Sequence, residues 1–184
     1  MSDLAYSLDH YTYKDYKGWP EDFRCELIYG VVYMMSSPNG WHQQTSWMMA
    51  RQLDEFFRGT SCTPFTAPYD VRLFPQDNEQ DDIVVQPDLM VICDKRKWSL
   101  DGICEGAPDL IIEILSQTTN LHDLNTKYEL YKRAGVREYW IVSKEAVKVC
   151  QFQSDGKAIE KRYDFDAQKS IPSSIFPGLF LKFD

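Results

Sequence analysis

The sequence feature that most limits the possible folds of this chain is a pair of strongly apolar segments, each of which contains an acidic residue. Residues 86–92 contain Asp88, and residues 108–116 contain Glu113, 25 positions further along the chain. Removing a carboxylate from water is costly unless it is paired, hydrogen-bonded or bound to a cation. Acids inside two such segments therefore indicate a shared site, and a divalent metal ion would satisfy both.

The segments around these acids predict an α/β fold. A hairpin turning near Gly30 is expected over residues 26–35, which are rich in β-branched and aromatic side chains. A second helix should end at Gly135, a residue typical of helix C-termini. The other predicted elements are a helix at 41–57, strands near 65–73, 84–93 and 110–115, the second helix at 122–134, and strands at 137–143, 146–152 and 158–163. The core order is αβββαβ, with an N-terminal hairpin and a C-terminal β extension.

The spacing of apolar residues predicts which helix faces are buried. The expected buried residues are Trp47, Ala50, Leu53, Phe56 and Phe57 in the first core helix, and Leu121, Leu124, Tyr128 and Tyr131 in the second. Two lysines, Lys127 and Lys132, should then lie on opposite flanks of the second stripe.

Length and composition favour one domain over residues 1–184, because 184 residues with 43% apolar content can build one full core but rarely two. We expect a peripheral arm over 1–24 and the core over 26–142. The net charge of −8 counts against a nucleic-acid binder. Carboxylates gathered around a cation are neutralised locally, however, so a DNA-binding role stays open.

The five cysteines are scattered and show no CxxC spacing, so the sequence indicates neither a disulfide framework nor a zinc site. The first residues lack a basic start and an apolar run, and no window approaches the roughly 20 apolar residues of a membrane span. We therefore expect a soluble, cytoplasmic protein with no membrane partner.

Magnesium is the cation that these acids would suit, since it takes one or two carboxylates and keeps water or substrate phosphate for its other positions. Asp88 and Glu113 would supply those carboxylates. The alternative is that both are strand-end acids or salt-bridge partners of an arginine. Asp70 is similarly ambiguous, and Asp109 lies about 13 Å from Glu113 along an extended strand, which favours a structural role.

Several short segments in a fixed order make the chain resemble the PD-(D/E)xK nuclease superfamily, and within it the Uma-type restriction endonucleases. The segments span roughly residues 26–142. They are Glu26-Leu27-Ile28-Tyr29-Gly30, Ser37-Pro38 with His42-Gln43, Gln86-Pro87-Asp88, Ala107-Pro108-Asp109-Leu110 with Glu113-Ile114-Leu115-Ser116, and Lys127 with Tyr131 and Gly135-Val136-Arg137-Glu138-Tyr139-Trp140. The resemblance implies a restriction-endonuclease-like core with a mixed sheet.

The resemblance also implies roles for particular residues. The superfamily pattern would put a lysine two positions after Glu113, where this chain has Leu115, and the similarity assigns that role to Lys127 on the following helix. A solvated helix lysine is the alternative. Glu26 could add a carboxylate or merely pair across the hairpin, and His42 could contact phosphate or orient a metal-bound water through Gln43, or be an ordinary helix-entry residue. The carbonyl group of Ile114 could be a further metal ligand.

These residues together favour a metal-dependent endonuclease that hydrolyses phosphodiester bonds in DNA with Mg²⁺ or Mn²⁺. A homodimer is expected, because two cuts in a duplex need two active sites. Residues 95–98 (Lys-Arg-Lys-Trp) could hold a DNA backbone but more simply form a solvated loop. An inactive nuclease-fold module that binds or assembles, and a nuclease acting on RNA, are the alternatives.

Overall fold

The computed structural model describes residues 9–20, 22–100, 102–116 and 121–183, without the side chains of residues 121–123. The described helices are α1 (Tyr13–Tyr16), α2 (Gly40–Phe57) and α3 (Leu121–Ala134), with a 3-10 turn at Lys95–Lys97. The strands are β1 (Cys25–Ile28), β2 (Val31–Met34), β3 (Thr63–Thr66), β4 (Val71–Arg72), β5 (Val84–Val85), β6 (Leu89–Ile92), β7 (Cys104–Glu105), β8 (Leu110–Ile114), β9 (Glu138–Val142), β10 (Ala146–Phe152), β11 (Ala158–Asp164), β12 (Ser170–Pro172) and β13 (Phe180–Lys182). None of the described helices is long and apolar enough to cross a membrane.

A mixed six-stranded sheet forms the centre of the fold, in the order β11-β10-β9-β8-β6-β3. Strands β8 and β9 run parallel, and the other neighbours in this sheet are antiparallel. A second sheet has the order β2-β1-β5-β4-β7, and β12 pairs with β13. The predicted αβββαβ core is confirmed as α2, β3, β6, β8, α3 and β9.

The two core helices cover opposite faces of the central sheet. On β8, Ile112 and Ile114 point into the cluster that contains Leu53 of α2, whereas Ile111 points into the cluster that contains Tyr131 of α3. Side chains alternate along a strand, so Glu113 shares the α3 face with Ile111. This alternation directs the second acid of the sequence pattern toward the helix that bears Lys127.

Two of the predicted strands are each divided between the two sheets. The segment predicted near 65–73 forms β3 and β4, and the segment predicted near 84–93 forms β5 and β6. Both divisions contain a proline, Pro68 or Pro87, which has no N–H group to donate to a strand ladder. Asp88 consequently lies just before β6 rather than inside a strand.

The prediction for the buried faces of the helices is partly wrong. In α2, Leu53 and Phe57 are buried as expected, but Trp47 is 68% exposed because the buried row is Thr45, Met49, Leu53 and Phe57 at four-residue spacing. Among the described side chains of α3, Lys127, Leu130 and Tyr131 are buried, so Lys127 lies within the buried stripe and not on its flank. The predicted burial of Leu121 lies outside the described side chains.

The N-terminal segment packs on the first hairpin. Tyr11, Tyr13, Tyr16 and Trp19 contact the buried cluster of Cys25, Leu27, Val32 and Val84. The hairpin itself turns through Tyr29 and Gly30, whose φ angles of 52° and 74° form the two-residue turn that suits twisted antiparallel strands. The expected hairpin at Gly30 is therefore confirmed.

One disulfide contradicts the expectation that the cysteines are unpaired. Cys62 and Cys93 are bonded across β3 and β6, one residue beyond the antiparallel pair Thr63 and Ile92. The sequence reading was wrong because the two cysteines are 31 residues apart and become neighbours only through the strand register. Cys25, Cys104 and Cys150 are free and buried.

Candidate active site

The first acid of the site, Asp88, is fixed by one backbone and one side-chain contact. Its Oδ2 accepts a hydrogen bond from the backbone N–H of Ile114 at 2.7 Å. The same oxygen lies 3.1 Å from Nε2 of His42, in the first turn of α2. Asp88 therefore joins the end of β8 to the start of α2.

The second acid, Glu113, is held from α3. Its Oε1 accepts hydrogen bonds from the Tyr131 hydroxyl at 2.7 Å and from the Lys127 ammonium group at 3.1 Å. Lys127 and Tyr131 are four residues apart, so they lie on the same face of the helix, one turn apart. All three side chains are buried.

Glu26 of β1 completes the group from the second sheet. Its carboxylate lies 2.9 Å from Nζ of Lys127, and its Oε1 also accepts from the backbone N–H of Gln86 at 2.9 Å. Lys127 thus bridges two buried carboxylates that are 87 positions apart in sequence, at 26 and 113. One ammonium group ties the two sheets together through α3.

The electrostatics of the site favour an added positive charge. Burial raises the pKa of Glu113 to about 7; Lys127 opposes this rise, and the charges of Asp88 and Glu26 add to it. The site holds three carboxylates against a single lysine, with His42 beside them. A divalent cation would relieve the repulsion that this arrangement carries.

His42 is aligned by its position in α2. The side chain of Asn39 caps the helix by accepting from the backbone N–H of His42 at 3.0 Å. The hydrogen bond to Asp88 raises the pKa of His42, although burial opposes the rise. Nδ1 of His42 is buried and has no hydrogen-bond partner among the described residues.

Other residues singled out in the sequence lie away from this group. Asp109, at the opposite end of β8, accepts from the backbone N–H of Cys93 and from Arg137. Lys132 is half-buried, and its charge acts on Glu160 of β11. Residues 95–98 form the 3-10 turn and its cap, in which Arg96 pairs with Asp94 and Lys97 donates to the carbonyl of Ala107.

Two residues of the site were not predicted in these roles. Tyr131 was expected to be buried but not to bond Glu113, and its four-residue spacing from Lys127 is the signal that could have shown it. Gln86 acts through its backbone N–H, and no side-chain pattern reports that.

The oxygen donors present suit a hard cation. Among the described residues, no three His, Cys, Asp or Glu side chains form a ready-made metal cage. Magnesium does not require such a cage, because it is held by one or two carboxylates together with water and substrate oxygens. Asp88 and Glu113, whose pKa the charge of Asp88 helps to raise, match that smaller requirement.

Comparison with known proteins gives a family and a related fold. A family model, Uma2, described as "Putative restriction endonuclease", matches residues 13–184. A crystal structure of a "putative nuclease belonging to DUF820" from Anabaena variabilis superposes with a TM-score of 0.73 at 18% identity, covering 94% of each chain. No curated protein matches the sequence.

Proposed function

Because the chain belongs to the Uma2 family of restriction endonucleases, we propose that it is a divalent-metal-dependent endonuclease that hydrolyses phosphodiester bonds in DNA. The family and the nuclease-like fold support a nuclease function. The metal-dependent mechanism is supported above all by the buried group in which Lys127 contacts Glu26 and Glu113. Asp88 lies close enough to Glu113 to influence its pKa.

In this proposal Asp88 and Glu113 would hold the metal ion, with the backbone carbonyl of Ile114 as a third ligand. Restriction-endonuclease-like families normally use a divalent metal, and Mg²⁺ or Mn²⁺ suits carboxylate oxygens. When bound, such an ion polarises the phosphate and lowers the pKa of a water molecule. The backbone N–H of Ile114 keeps the Asp88 carboxylate at the end of β8, next to Glu113.

Lys127 supplies positive charge where negative charge develops on the phosphate. Its ammonium group is already fixed by Glu26 and Glu113, so it needs little reorganisation during the reaction. Glu26 acts as the second anchor of this lysine, and Tyr131 fixes the rotamer of Glu113 through its hydroxyl.

His42 orients Asp88 through Nε2, and contact of its buried Nδ1 with a phosphate oxygen or water would require the site to open. Because its pKa is raised by Asp88, the imidazole is protonated over a wider pH range than a free histidine. A homodimer would bring two such sites to the two strands of a duplex.

A binding module without activity is the second candidate, and one observation favours it. Glu26, Lys127, Glu113 and Tyr131 satisfy one another as a buried hydrogen-bonded network, which is also what a structural ion cluster looks like. RNA is a further possible substrate of the same chemistry.

Cleavage of plasmid DNA tests the proposal. Purified protein should nick or cut the plasmid with magnesium or manganese and do nothing in chelator, and Asp88→Asn should abolish cutting. Asp109→Asn is the matched control, because Asp109 lies at the far end of β8. Cutting that survives both chelator and Asp88→Asn would refute the metal mechanism, and a protein that cuts neither DNA nor RNA would favour the binding module.

A further inference from the structure

Asp70 makes a partly buried contact that the proposed chemistry does not use. It lies in the connection between β3 and β4, and its Oδ1 accepts a hydrogen bond from the side-chain amide of Gln86 at 2.7 Å. Gln86 is itself buried, so the amide has few other orientations open to it. The pair fixes one end of residues 86–88.

The other end of residues 86–88 is fixed by the same connection. The backbone N–H of Ala67 donates to the carbonyl oxygen of Asp88 at 3.0 Å. Residues 67–70 therefore hold residues 86–88 at two points, one on each side of Pro87. Since residues 86–88 lie between β5 and β6 and belong to neither strand, these contacts replace the strand ladder that would otherwise fix them.

Residues 86–88 contribute two different parts of the site. The backbone N–H of Gln86 holds the Glu26 carboxylate, which anchors Lys127, and Asp88 is the first proposed metal ligand. A rotation of this short segment would displace both parts at once. An error of about 1 Å in such positions can lower a rate by about a hundredfold.

The N-terminal segment reaches the same point. The Tyr16 hydroxyl lies beside Asp70 and donates to the carbonyl oxygen of Cys25 at 3.3 Å. Cys25 directly precedes Glu26 in β1. Asp70 therefore lies beside the Gln86 amide and the Tyr16 hydroxyl. Gln86 contacts the Glu26 carboxylate through its backbone N–H, and Tyr16 contacts the backbone of the residue before Glu26.

We propose that Asp70, acting through Gln86, is a positioning residue that sets the placement of both Asp88 and the Glu26–Lys127 pair. This inference rests on the proposed nuclease function for its effect on rate. Its structural part, the coupling of Asp70 to Lys127, does not depend on any activity.

The coupling is tested by the reactivity of Lys127 toward an amine-acylating reagent, read by peptide mass spectrometry with Lys132 as the internal reference. Asp70→Ala should raise the labelling rate of Lys127 relative to Lys132 by about threefold or more, because local opening exposes the buried amine. Asp70→Asn keeps an oxygen acceptor for Gln86 and should restore most of the protection. Gln86→Met removes the side-chain amide but retains the backbone N–H, and should raise the labelling ratio as Asp70→Ala does. It replaces Asp70→Ala in the test if Asp70→Ala does not fold.

Asp109→Ala is the matched control, since the Asp109 carboxylate also accepts hydrogen bonds but lies at the other end of β8. It should leave the ratio of Lys127 to Lys132 labelling unchanged. The proposal is overturned if Asp70→Ala or Gln86→Met labels like the wild type, or if Asp109→Ala raises the ratio as much as they do.

Cleavage then tests the effect on the proposed reaction. Asp70→Ala should slow single-turnover cutting of a labelled duplex by about tenfold or more at saturating metal, while duplex binding measured with calcium stays unchanged. Asp70→Asn should recover most of the rate. Equal rates for wild type and Asp70→Ala would overturn the positioning role, whereas a wild type that never cuts would refute the nuclease proposal and leave the labelling result to decide the coupling.

Discussion

At the scale of single residues, the proposed site depends on a lysine that lies outside the position given to it by the PD-(D/E)xK pattern. Leu115 occupies the strand position where that lysine would stand, and Lys127 approaches from α3 instead. Both carboxylates that Lys127 contacts are buried, so its ammonium group is held in a fixed position between them. The two lysines of α3 can therefore be separated by experiment.

Lys127→Ala should lower the rate of single-turnover duplex cleavage by about a hundredfold or more, because one preorganised electrostatic contact is lost. Lys132→Ala should have a much smaller effect, since Lys132 faces Glu160 of β11. The measurement uses both variants on the same labelled duplex. The role of Lys127 is rejected if Lys132→Ala is the slower enzyme or if both variants cut like the wild type.

The residues whose charge is unusual for their surroundings could be predicted from the sequence. The residues whose role depends only on where the fold places them could not. Asp88, Glu113 and Lys127 stand out as charges in apolar segments or as matches to a family pattern. Tyr131 looked like an ordinary buried aromatic residue, and the bond from Gln86 to Glu26 uses a backbone N–H that every residue except proline has. Asp70 was ambiguous because its partner is 16 positions away in sequence.

At the scale of secondary-structure elements, the second sheet is held by a buried arginine. Arg72 of β4 donates to Asp81 and to Glu105 of β7, and its guanidinium group lies 3.9 Å from the ring centroid of Tyr13. Burial disfavours the charged form of Asp81, but hydrogen bonds from Arg72 and Gln76 outweigh it and lower the pKa of Asp81. This ion pair connects the N-terminal segment to the sheet that carries Glu26.

Asp81→Asn should reduce the free energy of unfolding by about 3 kcal/mol, because it leaves the Arg72 charge buried with one carboxylate fewer. The lowered pKa means that Asp81 stabilises the fold above the pKa of an unfolded aspartate, about 3.9, and that this contribution is lost as the pH falls through the lower folded value. As the pH is lowered, the free energy of unfolding of the variant should therefore fall less steeply than that of the wild type. Urea unfolding at several pH values measures both effects.

Asp54→Asn is the control for this prediction, since Asp54 forms an exposed pair with Arg58 on α2. Its unfolding free energy should stay close to that of the wild type. If the two variants lose equal stability, the Arg72–Asp81 pair is not what holds the second sheet.

The order of elements was predictable, but their division between two sheets was not. The sequence identified α2 and α3 from helical periodicity, and β8 to β11 from runs of β-branched and aromatic residues between turn signals. The short strands β4, β5 and β7 have two residues each, which is too few for a periodic signal. The exposure of Trp47 shows the same limit, because an apolar side chain on a helix does not by itself define the buried face.

At the scale of the whole molecule, the protein is acidic: its net charge is −8, and the proposed site contains three carboxylates. A protein of this charge gains little from general attraction to DNA, so the proposed DNA binding would depend on local groups and on the cation. The fold should also be more stable when a cation occupies the site.

Added magnesium or manganese should raise the melting temperature by mass action, because it binds the folded state and relieves repulsion between Asp88 and Glu113. Glu113→Gln should weaken that shift. Glu129→Gln, at an exposed position of α3, should show the full wild-type shift. Differential scanning calorimetry at increasing metal concentration gives the comparison, and a melting temperature indifferent to millimolar metal would argue that the acids are structural.

We propose that Asp88 and Glu113 hold a divalent cation beside Lys127, and an anomalous diffraction map of crystals soaked in manganese tests this placement most directly. We expect a peak between the two carboxylates, with ligand oxygens at about 2.1 Å, and no such peak in Asp88→Asn crystals. A map without a peak at these residues, with Lys127 still bridging Glu26 and Glu113 at saturating manganese, would contradict it.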